Sequence, residues 1–293
     1  MRSIEVLAAE LPRVPVGDWF EGLVTWLTDN VAWLFDAIGA AVEGAVDGLT
    51  TVLVAPPALV LTGVFALLAL FLSGWKLGLF TVLGFGLIES MELWEPAMDS
   101  LALVLVSALV SVLIAIPLGI AAARSDAVSG VVRPVLDLMQ TMPAFVYLIP
   151  AIFFFSIGVV PGVVATVIFA LPPGVRLTEL GIRGVDAEMV EAGEAFGTPP
   201  GRILTRIQIP LAMPSIMAGV NQLIMLSLSM VVIAGMVGAG GLGNEVLEGI
   251  DRVNVSQGFE GGLAVVVLAI FLDRITGALG DRTAVARAMA QMT

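Results

Sequence analysis

The most ordered spacing of polar and small residues in this chain lies in a polar stretch of about thirty residues, 185–214, between two long apolar runs. It contains Glu191-Ala192-Gly193, then Gly197 after three further residues, then Ile207-Gln208-Ile209-Pro210 after nine more. A polar loop that projects from apolar segments can recognise a soluble partner through an ordered local structure. The loop is therefore the first candidate for a functional site.

Residues 186–196 are predicted to form a short helix, because they lack proline and are rich in Ala, Glu and Met. Met189, Ala192 and Phe196 recur at spacings of three and four and so form an apolar stripe. A neighbouring face carries the acidic residues Glu188, Glu191 and Glu194. Gly197 is expected to end the helix. Such a helix fits a groove on a partner; the alternative is a solvated acidic helix without one.

Enzymatic chemistry finds no support in the composition. The chain has no cysteine and no histidine, so it lacks a thiolate metal site and an imidazole base. We assign no catalytic residue and no metal ligand. The only lysine is Lys76, and no Gly-x4-Gly-Lys-Ser/Thr segment is present, so the chain is not expected to bind ATP itself. A net charge of −12 without a basic patch argues against nucleic acid as a partner.

A glycine-rich segment, Gly238-Ala239-Gly240-Gly241-Leu242-Gly243, follows one apolar run. Its spacing is similar to that of a dinucleotide-binding loop, but it follows an apolar helix and not a strand, which argues against that function. Glycines here fit a tight turn or a close approach of helices. A gate at the outer membrane face, formed by Gly240, Gly241 and Gly243, is the functional alternative to a plain turn.

The composition predicts an all-α polytopic membrane bundle in contact with the lipid bilayer. Hydrophobic residues make up 58% of the chain, charged residues 13%, and the mean hydropathy is +1.03. A spanning helix needs about 20 apolar residues, and about seven spans are expected. The seven apolar runs are 52–72, 76–94, 98–123, 143–158, 161–177, 212–237 and 261–279.

The positions of the basic residues predict the topology, because lysine and arginine favour the cytoplasmic side of short loops. If 143–177 crosses the membrane twice, one side receives Lys76, Arg124, Arg133, Arg176, Arg183, Arg202, Arg206, Arg274, Arg282 and Arg287. The opposite side keeps only Arg2, Arg13 and Arg252. The prediction is a multi-pass protein of the cytoplasmic (inner) membrane, with the N-terminus outside and the C-terminus inside.

Before the first run, the apolar residues from Trp19 to Leu49 recur at helical spacing and acids take the other face. This pattern predicts an amphipathic helix in the membrane interface, with Trp19, Trp26 and Trp33 near the headgroups. The helix is either a regulatory or scaffold element or an outer-face packing element.

Neutral polar side chains occur within the sixth run. No run carries a clear charge at mid-bilayer, which an ion-coupled carrier would be expected to have. These side chains either line a path for a polar solute or form hydrogen bonds between helices. The candidates for a translocation path are Asn221, Gln222, Ser227 and Ser229.

At the loop, the chain resembles the transmembrane subunits of ABC importers, whose signature is Glu-Ala-Ala, three residues, Gly, nine residues, Ile-x-Leu-Pro. The matching positions are Glu191, Ala192, Gly197, Ile207 and Pro210, whereas Gly193 and Ile209 depart from the signature. Gly193 should loosen the helix slightly. Four further segments resemble the glycine betaine/proline betaine permease subunits: 139–148, 169–173, 210–222 and 228–234. The resemblance covers about 60–293.

The resemblance implies the type I ABC importer transmembrane fold, in which two copies form the translocation path. A cytoplasmic ATP-binding subunit, which holds ATP and Mg, would grip the loop, and this chain would bind no cofactor. The implied coupling residues are Glu188, Glu191, Ala192, Gly193, Phe196, Gly197, Ile207 and Pro210. An extracytoplasmic substrate-binding protein would deliver a betaine-type osmoprotectant. Alternatives are an ABC permease for choline, carnitine or an amino acid, and an ion-coupled secondary carrier.

The predicted organisation has four parts. An extracytoplasmic or interfacial segment, 1–51, precedes peripheral transmembrane helices at 52–97. The importer core spans 98–279 and contains the coupling loop, 178–211. A cytoplasmic tail, 280–293, follows.

Overall fold

A computed structural model describes residues 15–281, apart from the side chains of Val16 and Asp281. Within these residues every regular element is helical, which confirms the all-α prediction. The helices are α1 (Val16–Val54), α2 (Ala58–Ser73), α3 (Trp75–Ser90), α4 (Trp94–Arg124), α5 (Asp126–Thr141), α6 (Ala144–Phe155), α7 (Val159–Arg183), α8 (Ala187–Ala195), α9 (Pro200–Ile203), α10 (Ile209–Ser229), α11 (Val231–Gly235), α12 (Gly241–Asp251) and α13 (Val255–Asp281). The topology residues Arg2, Arg13, Arg282 and Arg287 and nearly all of the predicted tail lie outside the described residues.

The centre of the bundle is formed by α4, α7 and α10, and α12 and α13 pack beside them. At one end, the Leu242 N–H donates to the Ser100 hydroxyl oxygen at 2.8 Å, which joins the start of α12 to the start of α4. We call this the α12 end. At the other end, an Arg183 guanidinium N–H donates to the Ala122 carbonyl at 2.8 Å, which joins the ends of α7 and α4. We call this the α8 end, because α8 follows directly.

Glycines allow the central helices to approach closely. A Cβ on Gly119 of α4 would lie 2.6 Å from the Cβ of Thr178 on α7. A Cβ on Gly181 of α7 would lie 2.7 Å from the Cβ of Ser215 on α10. Small residues at helix crossings are the usual way for membrane helices to gain van der Waals contact, since lipid supplies no hydrophobic drive between them. These contacts fix the position of α7, and therefore of the loop that follows it.

The number of helices that could cross a membrane differs from the seven predicted runs. Among the described residues, five helical stretches are long and apolar enough, and the α5–α6 pair, bent by 101°, would be a sixth. The run 52–72 is interrupted because Pro56 and Pro57 separate α1 from α2, which has only 16 residues. At 1.5 Å per residue, α2 covers about 24 Å, less than a bilayer core of about 30 Å. The run 143–158 likewise contains only the 12-residue α6.

The second half of the N-terminal helix α1 lies across the α12 end of the bundle. The ring of Phe35 stacks on that of Phe154, at the end of α6, with centroids 4.4 Å apart. About four turns later, Thr50 faces Glu95, at the start of α4, across a cleft of about 410 Å³. Both contacts are at the same end, so this half runs along the bundle surface although α1 is long and apolar enough to span a membrane. A kink at Val31 separates it from the exposed first half.

The α2–α3 hairpin packs against α13 through aromatic rings. The Phe85 ring lies 5.1 Å from those of Phe65 and Phe271, and the Phe65 and Phe271 rings are 5.4 Å apart. Phe85 is fully buried. Tilted and edge-on rings at this spacing stabilise by about 0.5–1.5 kcal/mol per pair beyond their buried area. The hairpin is therefore attached to the periphery of the core.

Candidate functional site

The loop between α7 and α10 forms the short helix α8, as predicted. At its start, the Asp186 carboxylate accepts a hydrogen bond from the Glu188 backbone N–H at 3.0 Å, an N-cap interaction. At its end, Gly197 has φ +70°. The Gly197 N–H donates to the Glu194 carbonyl at 2.8 Å, and the Thr198 N–H to the Gly193 carbonyl at 3.1 Å. This is a Schellman motif, which explains why glycine ends the helix.

The buried side of α8 contacts the second part of the sequence pattern: Gly193, from its first part, packs against Ile207, from its last part. Gly193 is buried, and a Cβ there would lie 3.0 Å from Ile207 Cδ1 and 3.4 Å from Ile203 Cγ1. The helix therefore rests on the two isoleucines that follow it in the loop. The spacing between residues 193 and 207 is thus a packing requirement within the loop. Gly193 lets α8 sit close to this support.

The predicted apolar stripe of α8 is exposed, next to the face on which Gly193 is buried. Phe196 is 90% exposed and Met189 is 50% exposed, and Ala192 is exposed beside them. Within residues 15–281, no ion pair involves the exposed acids Glu188, Glu191 and Glu194. An exposed phenylalanine rimmed by unpaired charges has the composition of a docking surface with a buried centre and a polar rim.

A widened turn joins α9 to α10 and accommodates Pro210. Residues Leu204–Gln208 form a π-helical turn, in which the Ile209 N–H donates to the Leu204 carbonyl five residues earlier. Proline lacks an N–H and its ring clashes with the preceding turn of an α-helix. A π turn absorbs this mismatch and lets the chain continue as one long helix. Ile207 lies in this turn, where it supports α8.

A buried carboxylate that the sequence analysis missed fixes the segment before α8. Glu179 on α7 is 2% exposed and accepts from the Ser129 hydroxyl at 2.7 Å and from Arg133 at 2.9 Å, both on α5. Arg183 Nε lies 3.1 Å from Glu179, and its guanidinium also pairs with Asp126 at 2.7 Å. The only sequence signal was the spacing of four between Glu179 and Arg183, which favours an ion pair on a helix.

The translocation-path candidates lie in different surroundings. The Asn221 side-chain amide donates to Asp273 Oδ1 at 3.1 Å, and its carbonyl oxygen accepts from the Thr276 hydroxyl. Both partners are on α13, so Asn221 forms the hydrogen bonds between helices that were one of the two alternatives. Asp273, within the run 261–279, was missed. The hydroxyls of Ser227 and Ser229 donate to carbonyls of their own helix at 3.0 Å, and Gln222 is exposed. A role of the four residues in translocation stays a prediction.

The glycine-rich segment forms the tight turn between α11 and α12. Gly240 and Gly241 have φ values of +74° and +66°, which favour glycine. A Cβ on Gly241 would lie 2.5 Å from Ser100 Oγ, and one on Gly243 would lie 2.1 Å from the Val231 carbonyl oxygen. These residues are thus needed for the turn and the close approach. Gating by Gly240, Gly241 and Gly243 stays a prediction.

Replacing Gly193 with alanine is expected to leave the fold intact and to raise stability by less than about 1 kcal/mol, because alanine is about 0.8–1 kcal/mol better than glycine within a helix. The tightest contact of the new Cβ is with the flexible end of Ile207, at 3.0 Å, and its contact with Ile203 at 3.4 Å is an ordinary van der Waals distance. Gly193→Val, whose larger side chain cannot fit, serves as the destabilised control. Thermal unfolding in detergent measures both, and a lower midpoint for the alanine variant would contradict the packing described.

Replacing Ser100 with alanine is expected to destabilise the protein by about 1–2 kcal/mol, since it leaves the buried Leu242 N–H without its acceptor. Ser90→Ala, which removes an exposed hydroxyl bonded to its own helix, is the matched control. Thermal unfolding of the two variants should separate them. Equal midpoints would show that the contact between α4 and α12 adds little.

The fold and the loop together define a class of protein. The bundle resembles two crystal forms of the inward-facing MetNI methionine ABC transporter, with TM-scores of 0.56 and 0.57 at 24% and 23% identity. The matches cover 64% and 67% of this chain and 92% and 95% of those chains. The chain therefore has the transmembrane fold of type I ABC importers, as the resemblance in the loop implied.

Residues 115–285 match the family described as binding-protein-dependent transport system inner membrane component. The chain belongs to this family and is a multi-pass membrane protein. It is 50% identical over 266 residues to the glycine betaine transport system permease protein OpuAB of Bacillus subtilis (strain 168), covering 91% of this chain and 94% of the relative.

Two further relatives are 46% identical to this chain. The glycine betaine/proline betaine transport system permease protein ProW of Escherichia coli (strain K12) matches over 267 residues, 91% of this chain and 75% of ProW. The glycine betaine/carnitine transport permease protein GbuB of Listeria monocytogenes serotype 1/2a (strain 10403S) matches over 276 residues, which are 93% of this chain and 98% of GbuB. The predicted resemblance to betaine permeases is confirmed.

Proposed function

We propose that this chain is the non-catalytic permease subunit of an ATP-driven ABC importer for glycine betaine- and proline betaine-type osmoprotectants. The family membership supports the transport role. The betaine class is supported by the relatives at 46–50% identity, each of which is named for glycine betaine transport.

The proposed coupling element is α8, which docks on a cytoplasmic ATP-binding subunit. The observation that carries this step is the exposure of Phe196, Met189 and Ala192 on a helix that rests on Ile203 and Ile207 through Gly193. Because α8 packs on Ile203 and Ile207, which lie in the segment leading into α10, a displacement of α8 can be transmitted to the bundle. ATP and Mg belong to the partner, since the sequence has no phosphate-binding loop.

The proposed assembly contains two copies of this chain, the ATP-binding subunits and an extracytoplasmic substrate-binding protein. We propose that the α8 end is cytoplasmic; the basic residues Arg124, Arg183 and Arg202 at this end support this orientation. The N-terminus is then outside, where α1 covers the α12 end, and the C-terminus is inside. The ranges 1–51, 52–97, 98–279 and 280–293 stay proposals for the organisation of the chain.

Uptake of labelled glycine betaine into proteoliposomes tests this function. The vesicles would contain the permease with its ATP-binding subunit, and the substrate-binding protein would be added outside. We expect uptake only with internal ATP, and competition by unlabelled proline betaine. Uptake that depends on a sodium gradient and not on ATP would contradict the proposal. If choline, carnitine or an amino acid competed more strongly than proline betaine, the proposed substrate class would be wrong.

A further inference from the structure

A second feature, separate from the coupling loop, is a cleft of about 720 Å³ between the α2–α3 hairpin and α13. One part of its wall is charged and consists of Lys76, Arg274 and Asp273. The rest is mainly apolar and includes Phe80 and Ile270. The Ser73 hydroxyl donates to the Arg274 carbonyl at 3.2 Å, which holds the tip of the hairpin next to the basic part of α13.

The charges in the cleft do not balance one another. One Asp273 oxygen accepts from Asn221, and the other lies 4.0 Å from Arg274 Nε, at the limit of an ion pair. Within residues 15–281, the Lys76 ammonium forms no ion pair. Among the residues that the structure describes, two cations therefore face the cleft with one carboxylate, which already has a partner. The excess positive charge favours an anionic ligand.

The position of the cleft relative to the membrane indicates which class of anion could bind there. Lys76 is the second residue of α3 and follows the turn at Gly74, at the tip of an apolar hairpin. Its neighbour Trp75 is 66% exposed, and exposed tryptophans mark the headgroup level of a bilayer. The apolar wall continues from this level past Phe80 and Ile270 towards the hydrocarbon. A charged head at the interface with an apolar chain below it is the shape of a phospholipid.

We propose that this cleft binds an anionic phospholipid, with the phosphodiester between Lys76 and Arg274 and an acyl chain along Phe80 and Ile270. Basic pockets between membrane helices suit anionic headgroups. The lipid bridges the tip of the hairpin to α13, beside the Phe65–Phe85–Phe271 rings. This site is independent of the proposed transport function, because it needs neither the coupling loop nor a partner subunit.

The test uses the full-length purified chain and measures bound lipid by native mass spectrometry, with phosphatidylglycerol as the probe. The Lys76→Gln/Arg274→Gln double variant is expected to bind about 30-fold more weakly, and Lys76→Gln alone about fivefold, since each basic residue near an anionic headgroup contributes about 1 kcal/mol. Arg252→Gln is the control, because Arg252 and Arg274 are both 69% exposed and Arg252 pairs with Glu248 at the other end.

Several outcomes would overturn the proposal. They are equal binding of phosphatidylglycerol by the wild type and the double variant, equal binding of phosphatidylcholine and phosphatidylglycerol by the wild type, and displacement of the lipid by millimolar inorganic phosphate. Thermal unfolding without added lipid checks that the variants are folded. Since the replaced side chains are exposed, we expect unchanged unfolding midpoints. If the double variant is unfolded, the lipid binding of Lys76→Gln alone tests the proposal.

Discussion

Truncation of Phe196 to alanine is expected to lower ATP-driven uptake about 30-fold while the permease stays folded. The side chain is 90% exposed, so its removal costs the isolated chain almost no packing. In the proposed complex it fills a groove on the ATP-binding subunit. Aromatic anchors at the centre of an interface commonly contribute 2 kcal/mol or more, which corresponds to about 30-fold in affinity. Co-purification with the ATP-binding subunit and uptake into proteoliposomes measure the two consequences.

The matched control is Phe259→Ala, which removes the same ring from a 69% exposed position on α13 away from the loop. We expect normal assembly with the ATP-binding subunit in this variant. Glu191→Ala is expected to have a smaller effect than Phe196→Ala, since a charge on the rim of an interface mainly affects the association rate. Full assembly and transport in Phe196→Ala would show that α8 is not the coupling element.

The loop could be predicted from sequence because its structure depends on local interactions. The ending of α8 at Gly197 follows from the left-handed conformation that glycine tolerates, and the apolar stripe follows from helical spacing. The sequence indicated that Gly193 and Ile207 belong to one pattern but not that they touch. Their contact requires the chain to reverse between α8 and α10, which involves the π turn. A π turn has no reliable signature apart from the nearby Pro210.

The polar clusters could not be predicted, because their members are distant in the chain. Glu179 meets Ser129 and Arg133, 50 and 46 residues earlier. Asn221 meets Asp273, 52 residues later. Asp273 lies within the apolar run 261–279 and was therefore counted as part of a span. The first run also included Pro56 and Pro57, which divide it, so the number of full-length spans was overestimated.

Replacement of Glu179 by alanine is expected to destabilise the bundle by about 2–3 kcal/mol. Removing one partner of a buried pair costs roughly 3–5 kcal/mol, because the remaining charge is left uncompensated. The expected cost is smaller here, since the side chains of Arg133 and Arg183 are 58% and 34% exposed and water can solvate them in part. Thermal unfolding in detergent measures the loss.

The control for this change is Asp137→Ala, which breaks the exposed pair between Asp137 and Arg176. Exposed ion pairs contribute about 0–1 kcal/mol, so its midpoint should stay near that of the wild type. Glu179→Gln, which still accepts hydrogen bonds from Ser129 and Arg133, is expected to lie between the two. If Glu179→Ala were no less stable than Asp137→Ala, burial of the carboxylate would not hold α5 to α7. The position of α8, which begins four residues after Arg183, would then depend on the glycine contacts of α7 with α4 and α10 and on the contacts of Arg183 with Ala122 and Asp126.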